Sequence, residues 1–203
     1  VGNHSTPSKR LIEQAVDIIH RGGIAAYPTD TVYALGCALE SRAAIQTIYR
    51  AKKMPETQKL SIVCPDLSCA SEYAHISQAA FHLAKRIFPG PYTLIVPASR
   101  NVPRLVLSKK QKTIGLRIPN NPVVMAILQK LGRPLLTTSA VDPKSRELCS
   151  DAHDVESHYA KILDVLVDGG PTGSDASTVI QASGEEFEIV REGKGPTDDI
   201  FYS

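Results

Sequence analysis

The stretch TIGLRIPNNPVVMAILQKLGRPLLTTS, Thr113 to Ser139, carries the reading of the fold. Thr113 to Ile118 alternates small or polar residues with aliphatic ones, the period-2 pattern of a strand. Asn121 before Pro122 is an N-cap followed by a proline at the first helical position, so a helix is expected to run to Leu131. Leu135 to Ser139 is a second short strand that starts apolar and exits into hydroxyls. Strand, helix and strand in close succession argue for a sheet covered by helices.

The pattern continues on both sides. Leu11, Ile12, Ala15, Val16, Ile18 and Ile19 recur at helical spacing, and Gly22 closes that helix. Gly23 to Tyr27 reads as a buried strand and Pro28 to Gly36 as a loop rich in hydroxyls. Ser41 is expected to cap a helix through Lys53, stopped by Pro55. Leu60 to Cys64 is a strand. Asp66 and Ser77 cap two helices, the second ending at Pro89-Gly90. Tyr92 to Val96 is a strand, Leu163 to Val167 another, with a helix between Ser139 and Leu163. Thr178 to Gln181 and Phe187 to Arg191 form a closing pair. There is no repeat, linker or low-complexity run. The expected fold is a single α/β domain over residues 8–195, with 1–7 and 196–203 as flexible termini.

Composition narrows the class. The 203 residues are 42% hydrophobic and 22% charged, ordinary for a globular chain. No apolar run approaches the ~20 residues of a membrane helix, and no basic-then-apolar leader opens the chain. A cytoplasmic protein with no membrane association is expected. Cys37, Cys64, Cys69 and Cys149 form no C-x-x-C pair, so buried reduced thiols are expected and no metal site. His153 and His158 have no metal spacing and read as surface residues.

The net charge of +2 conceals an asymmetry. The first 72 residues carry +1. Tyr73 to Val141 holds ten Lys or Arg and no Asp or Glu. From Asp142 onward fourteen acids face five bases, a balance of −9. A long carboxylate-free stretch is either a solvated basic face or the mark of an anionic, phosphate-bearing partner.

The usual nucleotide signatures are absent. Gly193-Lys194 is followed by Gly195, so it is no Walker A loop, and no G-x-G-x-x-G follows a strand. No G-x-S-x-G elbow exists. Polar clusters instead sit where strands should end. Pro28-Thr29-Asp30-Thr31-Val32-Tyr33 follows the first strand. Arg50-Ala51-Lys52-Lys53 ends a helix, where cations suit the dipole without any ligand. Thr113, Gly115 and Arg117 share one strand face, and the bare glycine leaves room for a ligand whose carboxylate Arg117 could grip. Thr137-Thr138-Ser139, Ser177-Thr178 and Arg191-Glu192-Gly193 complete the set.

Taken in order, Pro28 to Gly36, Gly115-Leu116-Arg117-Ile118-Pro119, Thr137-Thr138-Ser139-Ala140, Ser177-Thr178-Val179-Ile180 and Arg191-Glu192-Gly193 resemble the YrdC/YciO family. The likeness runs from about Arg10 to Gly195. Tyr33-Ala34-Leu35-Gly36-Cys37 and Lys112 to Arg117 look most like the YciO branch. The resemblance implies a twisted mixed α/β sheet with flanking helices around a concave, positively charged cleft. It implies a threonylcarbamoyl-AMP synthase, a nucleotidyltransferase joining L-threonine, bicarbonate and ATP and releasing pyrophosphate, with magnesium on the triphosphate. The product serves threonylcarbamoylation of tRNA. By the same resemblance Thr31, Arg117, Thr137 and Ser177 would hold threonine. Lys52, Thr113, Ser139 and Arg191 would hold the nucleotide, with Lys52 and Ser139 as the catalytic pair. Lys59, Leu60 and Ser61 would lie beside the nucleotide. The family has also been described as binding double-stranded RNA, so a tRNA, rRNA or double-stranded RNA binder using the basic stretch is an alternative. A carbamoyl or adenylyl transferase acting on another acceptor is a third.

The synthases carry Lys-x-Arg and Ser-x-Asn pairs. Here these read Lys52-Lys53-Met54 and Ser139-Ala140-Val141, so the arginine and asparagine positions are apolar. Cys64 stands where some synthases have histidine. Weakened synthase activity is expected, with Arg at 54 and Asn at 141 expected to raise it.

Overall fold

The computed structural model describes residues 8–54, 60–107, 112–184 and 186–201. In chain order these form α1 (Lys9–His20), β1 (Ala25–Tyr27), β2 (Ala34–Ala38), α2 (Arg42–Ala51), β3 (Ser61–Val63), α3 (Leu67–Tyr73), α4 (Gln78–Ile87), β4 (Tyr92–Pro97), a 3-10 turn (Arg104–Val106), β5 (Thr113–Arg117), α5 (Pro122–Leu131), β6 (Leu135–Ser139), α6 (Ala152–Tyr159), β7 (Val165–Leu166), β8 (Thr178–Gln181), β9 (Glu188–Arg191) and α7 (Asp198–Phe201). The strands join in one sheet, ordered β7-β1-β2-β6-β3-β5-β4-β8-β9. The pairs β7/β1, β3/β5 and β4/β8 are parallel and the others antiparallel, so the sheet is mixed.

Local chemistry sets the helix starts. The Asp66 carboxylate accepts from the Cys69 N–H at 2.8 Å, and Ser77 Oγ accepts from the Ala80 N–H at 3.2 Å. Asn121 Oδ1 accepts from Val123 and Val124, with Pro122 in the first turn. Ser41 sits at the N-cap of α2 without capping it. Its hydroxyl donates instead to the Gly22 carbonyl at 2.8 Å, fastening the end of α1 to the start of α2.

One expected loop is partly a strand. Ala34 to Ala38, read as the end of a hydroxyl-rich loop and its sequel, is β2, between β1 and β6. All five of its residues are buried, so it shows no polar alternation, and Ala-Leu-Gly-Cys-Ala has little strand propensity. Its glycine is needed: a Cβ at Gly36 would lie 2.5 Å from the Tyr27 hydroxyl. The Tyr27 ring crosses β2 there and donates to Thr137 Oγ1 at 3.1 Å on β6.

The two faces of the sheet differ. Ile62, Leu94, Leu116, Leu136 and Ile180 point to one face and pack with Ile45 and Ile48 of α2 and Leu83 of α4. On the other face Ala25, Tyr27, Ala34, Val63 and Leu135 pack under Val16 and Ile19 of α1 and Val124 and Ile127 of α5. Further along this second face the row Thr137–Ser61–Gly115 crosses three adjacent strands in register. It carries hydroxyls and a glycine where the rest of the sheet carries aliphatic side chains.

Of the two stretches read as flexible termini, 1–7 and 202–203 lie outside the described residues, while 196–201 makes contacts with the rest of the chain. Pro196 accepts from the Tyr92 hydroxyl at 3.0 Å, and Ile200 is 2% exposed within the larger core. No described helix is long and apolar enough to cross a membrane.

Candidate functional site

The floor is built from bare backbone and short hydroxyls. A Cβ at Gly115 would lie 2.7 Å from Ser61 Oγ and 2.9 Å from Thr93 Cγ2. Ser61 and Thr93 therefore converge over a strand that has no side chain between them. Thr137, beside Ser61 in the ladder, is 3% exposed. Its hydroxyl accepts from Tyr27 and donates weakly to the Leu35 carbonyl at 3.4 Å, which leaves one lone pair for a ligand.

Arg117 ends β5 two residues beyond that glycine and is 5% exposed. Nη2 donates to Asp30 Oδ1 at 3.0 Å and to Thr31 Oγ1 at 3.1 Å. Thr31 is itself held by Thr29, whose Oγ1 lies 2.9 Å from its hydroxyl and accepts from its N–H at 3.1 Å. Burial lowers the guanidinium's pKa and the Asp30 carboxylate opposes that shift. Nε is shielded from solvent and has no partner among the described residues. A buried guanidinium donor without an acceptor costs free energy in isolation, and an anionic ligand is what would repay it.

Ser177, just before β8, is 4% exposed, and its hydroxyl lies 2.8 Å from Thr93 Oγ1. Arg191 on β9 clamps the same residue, donating from Nε and Nη2 to the Ser177 carbonyl at 3.2 and 2.8 Å and from Nη2 to Oγ at 3.3 Å. The antiparallel pairing of β8 with β9 brings the two together. The four residues assigned to threonine, Thr31, Arg117, Thr137 and Ser177, thus occupy one face, with Ser61 and Gly115 among them. Thr113 lies on this face by strand alternation, at the far end of β5.

Lys52 comes from the opposite side. It caps the C-terminus of α2, is 2% exposed, and donates to Thr138 Oγ1 and to the Ser139 carbonyl at 2.7 Å. Thr138 faces away from Thr137, so Lys52 reaches β6 from the α2 side, near the strand exit at Ser139. Burial, and then the nearby positive charge of Arg146, push its pKa down to about 7. Arg146 donates to the Lys52 carbonyl at 2.9 Å and holds a left-handed φ of 68° in the loop closed by the Val141–Leu148 bridge. Lys59 lies outside the described residues.

Both departures from the synthase pattern are core residues. Met54 and Val141 are each 8% exposed. Met54 belongs to the larger apolar cluster, and the Val141 carbonyl accepts from the buried Tyr159 hydroxyl. Several described bases of the Tyr73 to Val141 stretch are spread over the fold. Arg117 is inside the site, while Lys130 and Arg133 pair with Glu13 and Glu40. Lys85 and Arg86 lie on α4, whose apolar side packs against the other face of the sheet.

Sequence reasoning passed over Asp30, Thr93, Lys194 and Arg146. Asp30 was in view inside the Pro28 to Gly36 motif, but only the folded chain sets it against Arg117, 87 positions away. Lys194 donates to the Asp30 carbonyl oxygen across the same turn. A cleft of about 360 Å³ opens beside this turn, lined by Thr29, Asp30, Asn120, Pro122, Gly169 and Lys194 among others.

Fold and site define an α/β protein with a buried arginine among hydroxyls on one face of a mixed sheet and a buried lysine reaching the sheet from the other side. The family model described as "Telomere recombination", for Sua5, YciO and YrdC proteins, matches residues 17–193, and the chain belongs to that family. It is 41% identical to the YciO protein of Escherichia coli K12, over 93% of this chain and 92% of that one. The crystal structure of E. coli YciO superposes with a TM-score of 0.90 at 40% identity, covering 95% of this chain and 93% of that one. A threonylcarbamoyl-AMP synthase of Pyrococcus abyssi is 32% identical over 93% of this chain and 56% of its own length. The crystal structure of P. abyssi Sua5 complexed with L-threonine has a TM-score of 0.83 at 31% identity, covering 90% of this chain and 54% of that one.

Proposed function

We propose that the protein is a nucleotidyltransferase of the threonylcarbamoyl-AMP synthase type, acting on L-threonine, bicarbonate and ATP to give threonylcarbamoyl-adenylate and pyrophosphate. The observation that carries this reading is Arg117. It is buried and, among the described residues, paired through Nη2 alone, on the sheet face that also carries the floor of hydroxyls and a glycine. A carboxylate matches that donor, and the hydroxyls of Thr31, Thr137 and Ser177 suit the amino and hydroxyl groups of a small amino acid. The likeness to a Sua5 structure containing L-threonine supports the same choice.

In the proposed reaction the threonine amine and bicarbonate form a carbamate with loss of water. A carbamate oxygen then attacks the α-phosphorus of ATP, and the bond to the β-phosphate oxygen breaks. Negative charge grows on phosphate oxygens. Arg191 and Lys52 are the cations proposed to meet it, each worth on the order of 3 kcal/mol if aimed at those oxygens. Lys52 would have to exchange its Thr138 and Ser139 contacts for phosphate. Among the described residues no three His, Cys, Asp or Glu side chains converge on a metal position. Magnesium would arrive on the triphosphate as part of the substrate, supplying charge neutralisation.

The test is pyrophosphate release from ATP with bicarbonate and magnesium, with and without L-threonine. Threonine-dependent release is expected. ATP binding without such release would overturn the reading.

A further inference from the structure

Asp30 is the residue around which the surroundings of Arg117 are organised. Its Oδ1 accepts from Arg117 Nη2 at 3.0 Å, and its Oδ2 accepts from the Asn120 N–H at 3.0 Å. Its own carbonyl takes the Lys194 ammonium. One side chain and its backbone thus join the turn after β1, the exit of β5 and the segment after β9. The Asp30 side chain is 8% exposed and that of Arg117 6%, so the pair lies almost wholly out of water.

The pairing is one-sided. Both contacts to Arg117 from this turn, Asp30 and Thr31, fall on Nη2, and Nε is left without a partner. A guanidinium is a planar fork, and fixing one terminal nitrogen from a rigid neighbour sets the direction of the remaining donors. Asp30 is rigid because Asn120 holds its second oxygen. A ligand carboxylate would meet the donors that Asp30 and Thr31 leave unused already aimed and would not have to order the side chain. A carboxylate that held the fork symmetrically would block it.

We propose that Asp30 is a positioning residue for recognition of the ligand's carboxylate: it fixes the Arg117 guanidinium through Nη2 so that the remaining donors are held ready for the ligand, and it confers discrimination between a carboxylate and its neutral amide. This rests on the proposed function, since L-threonine is the carboxylate used to probe it.

The test is titration calorimetry of the full chain with L-threonine and with L-threoninamide, and separately with ATP, for the unaltered protein, Asp30→Ala and Asp30→Asn. The unaltered protein is expected to prefer threonine over its amide by roughly 100-fold. Asp30→Ala is expected to bring that preference to within ~10-fold while ATP affinity stays unchanged. Asp30→Asn keeps one acceptor for Nη2 and is expected to fall between the two. It also serves if the alanine variant fails to fold. A merely structural role would weaken threonine, amide and ATP alike and leave the ratio intact, which would overturn the inference. Full discrimination in a folded Asp30→Asn or Asp30→Ala protein would overturn it as well, without touching the proposed function. No threonine binding by the unaltered protein would overturn both.

Discussion

The Lys52 ammonium donates to the Ser139 carbonyl at 2.7 Å, pinning the end of α2 to the exit of β6. The two residues that family resemblance pairs in catalysis are therefore in direct contact, through the backbone of one and the side chain of the other. Burial and Arg146 have pushed Lys52 down to about 7. At pH 8 a group of that pKa is mostly neutral. A triphosphate beside it favours the charged form and raises the pKa again, so ATP binding should take up a proton. Calorimetry at pH 8 in buffers of differing ionisation enthalpy should read an uptake of about 0.8 proton, falling as the pH drops through 7. Lys52→Arg, which cannot deprotonate, should remove the uptake. Proton-neutral ATP binding at pH 8 would mean that Lys52 does not meet the phosphates.

Arg117→Ala should abolish threonine binding and leave ATP binding measurable. Losing a buried charged donor set should cost ligand affinity about 2–5 kcal/mol, or ~30-fold and more. The same change strands the Asp30 carboxylate, whose side chain is 8% exposed, and an uncompensated buried charge costs about 3–5 kcal/mol of stability. Combining it with Asp30→Asn removes the stranded charge. The double variant should regain part of the lost stability by thermal unfolding and still fail to bind threonine. Unchanged threonine affinity in either protein would sink the assignment of Arg117.

Most of the fold was legible because its signals are local. The Asn121-Pro122 start, the caps at Asp66 and Ser77, and the alternation of Thr113, Gly115 and Arg117 each depend on a few neighbouring residues. The strand β2 was not legible as a whole, because burial on both faces erases the alternation that marks a strand. The site was legible where its residues stand in motifs, as Thr31, Arg117, Thr137 and Ser177 do. It was not legible where two distant segments meet, as Asp30 meets Arg117 and Thr93 meets Ser177. The carboxylate-free stretch is a different kind of signal. Sequence proximity of bases says nothing about which side of a sheet each strand and helix presents, and folding separates Arg117 from Lys85 and Arg86.

Met54→Arg with Val141→Asn was expected from sequence to raise synthase turnover. Both side chains are instead buried, Met54 in the main core and Val141 beside the Tyr159 hydroxyl bond. Placing a guanidinium and an amide there without built partners should cost about 1–3 kcal/mol or more each. For a chain of this size each kcal/mol lowers Tm by about 2–4 °C. The double variant should therefore melt well below the unaltered protein and gain no turnover. A folded variant with undiminished Tm and faster pyrophosphate release would show that the local backbone accepts the synthase pairs.

Gly115→Ala tests the floor of the site without touching any charge. Its Cβ would lie 2.7 Å from Ser61 Oγ and 2.9 Å from Thr93 Cγ2, both too close to keep. Ser61 is half-buried and can turn its hydroxyl aside. Thr93 has less freedom, because its Oγ1 is bonded to Ser177 Oγ at 2.8 Å and Ser177 is clamped by Arg191. The added methyl therefore pushes on the Thr93–Ser177 hydroxyl pair, next to Arg117 in the β4/β5 ladder. Overpacking of this kind costs about 1–3 kcal/mol, and threonine affinity should fall by ~10-fold or more. Ser61→Ala added to Gly115→Ala relieves only the contact at Ser61 and should restore part of the stability but little of the affinity. Calorimetry on both variants decides the matter. Threonine binding at the unaltered strength in Gly115→Ala would mean that the ligand does not rest on the β5 glycine, and the receptor would then have to be sought toward the cleft beside Asp30.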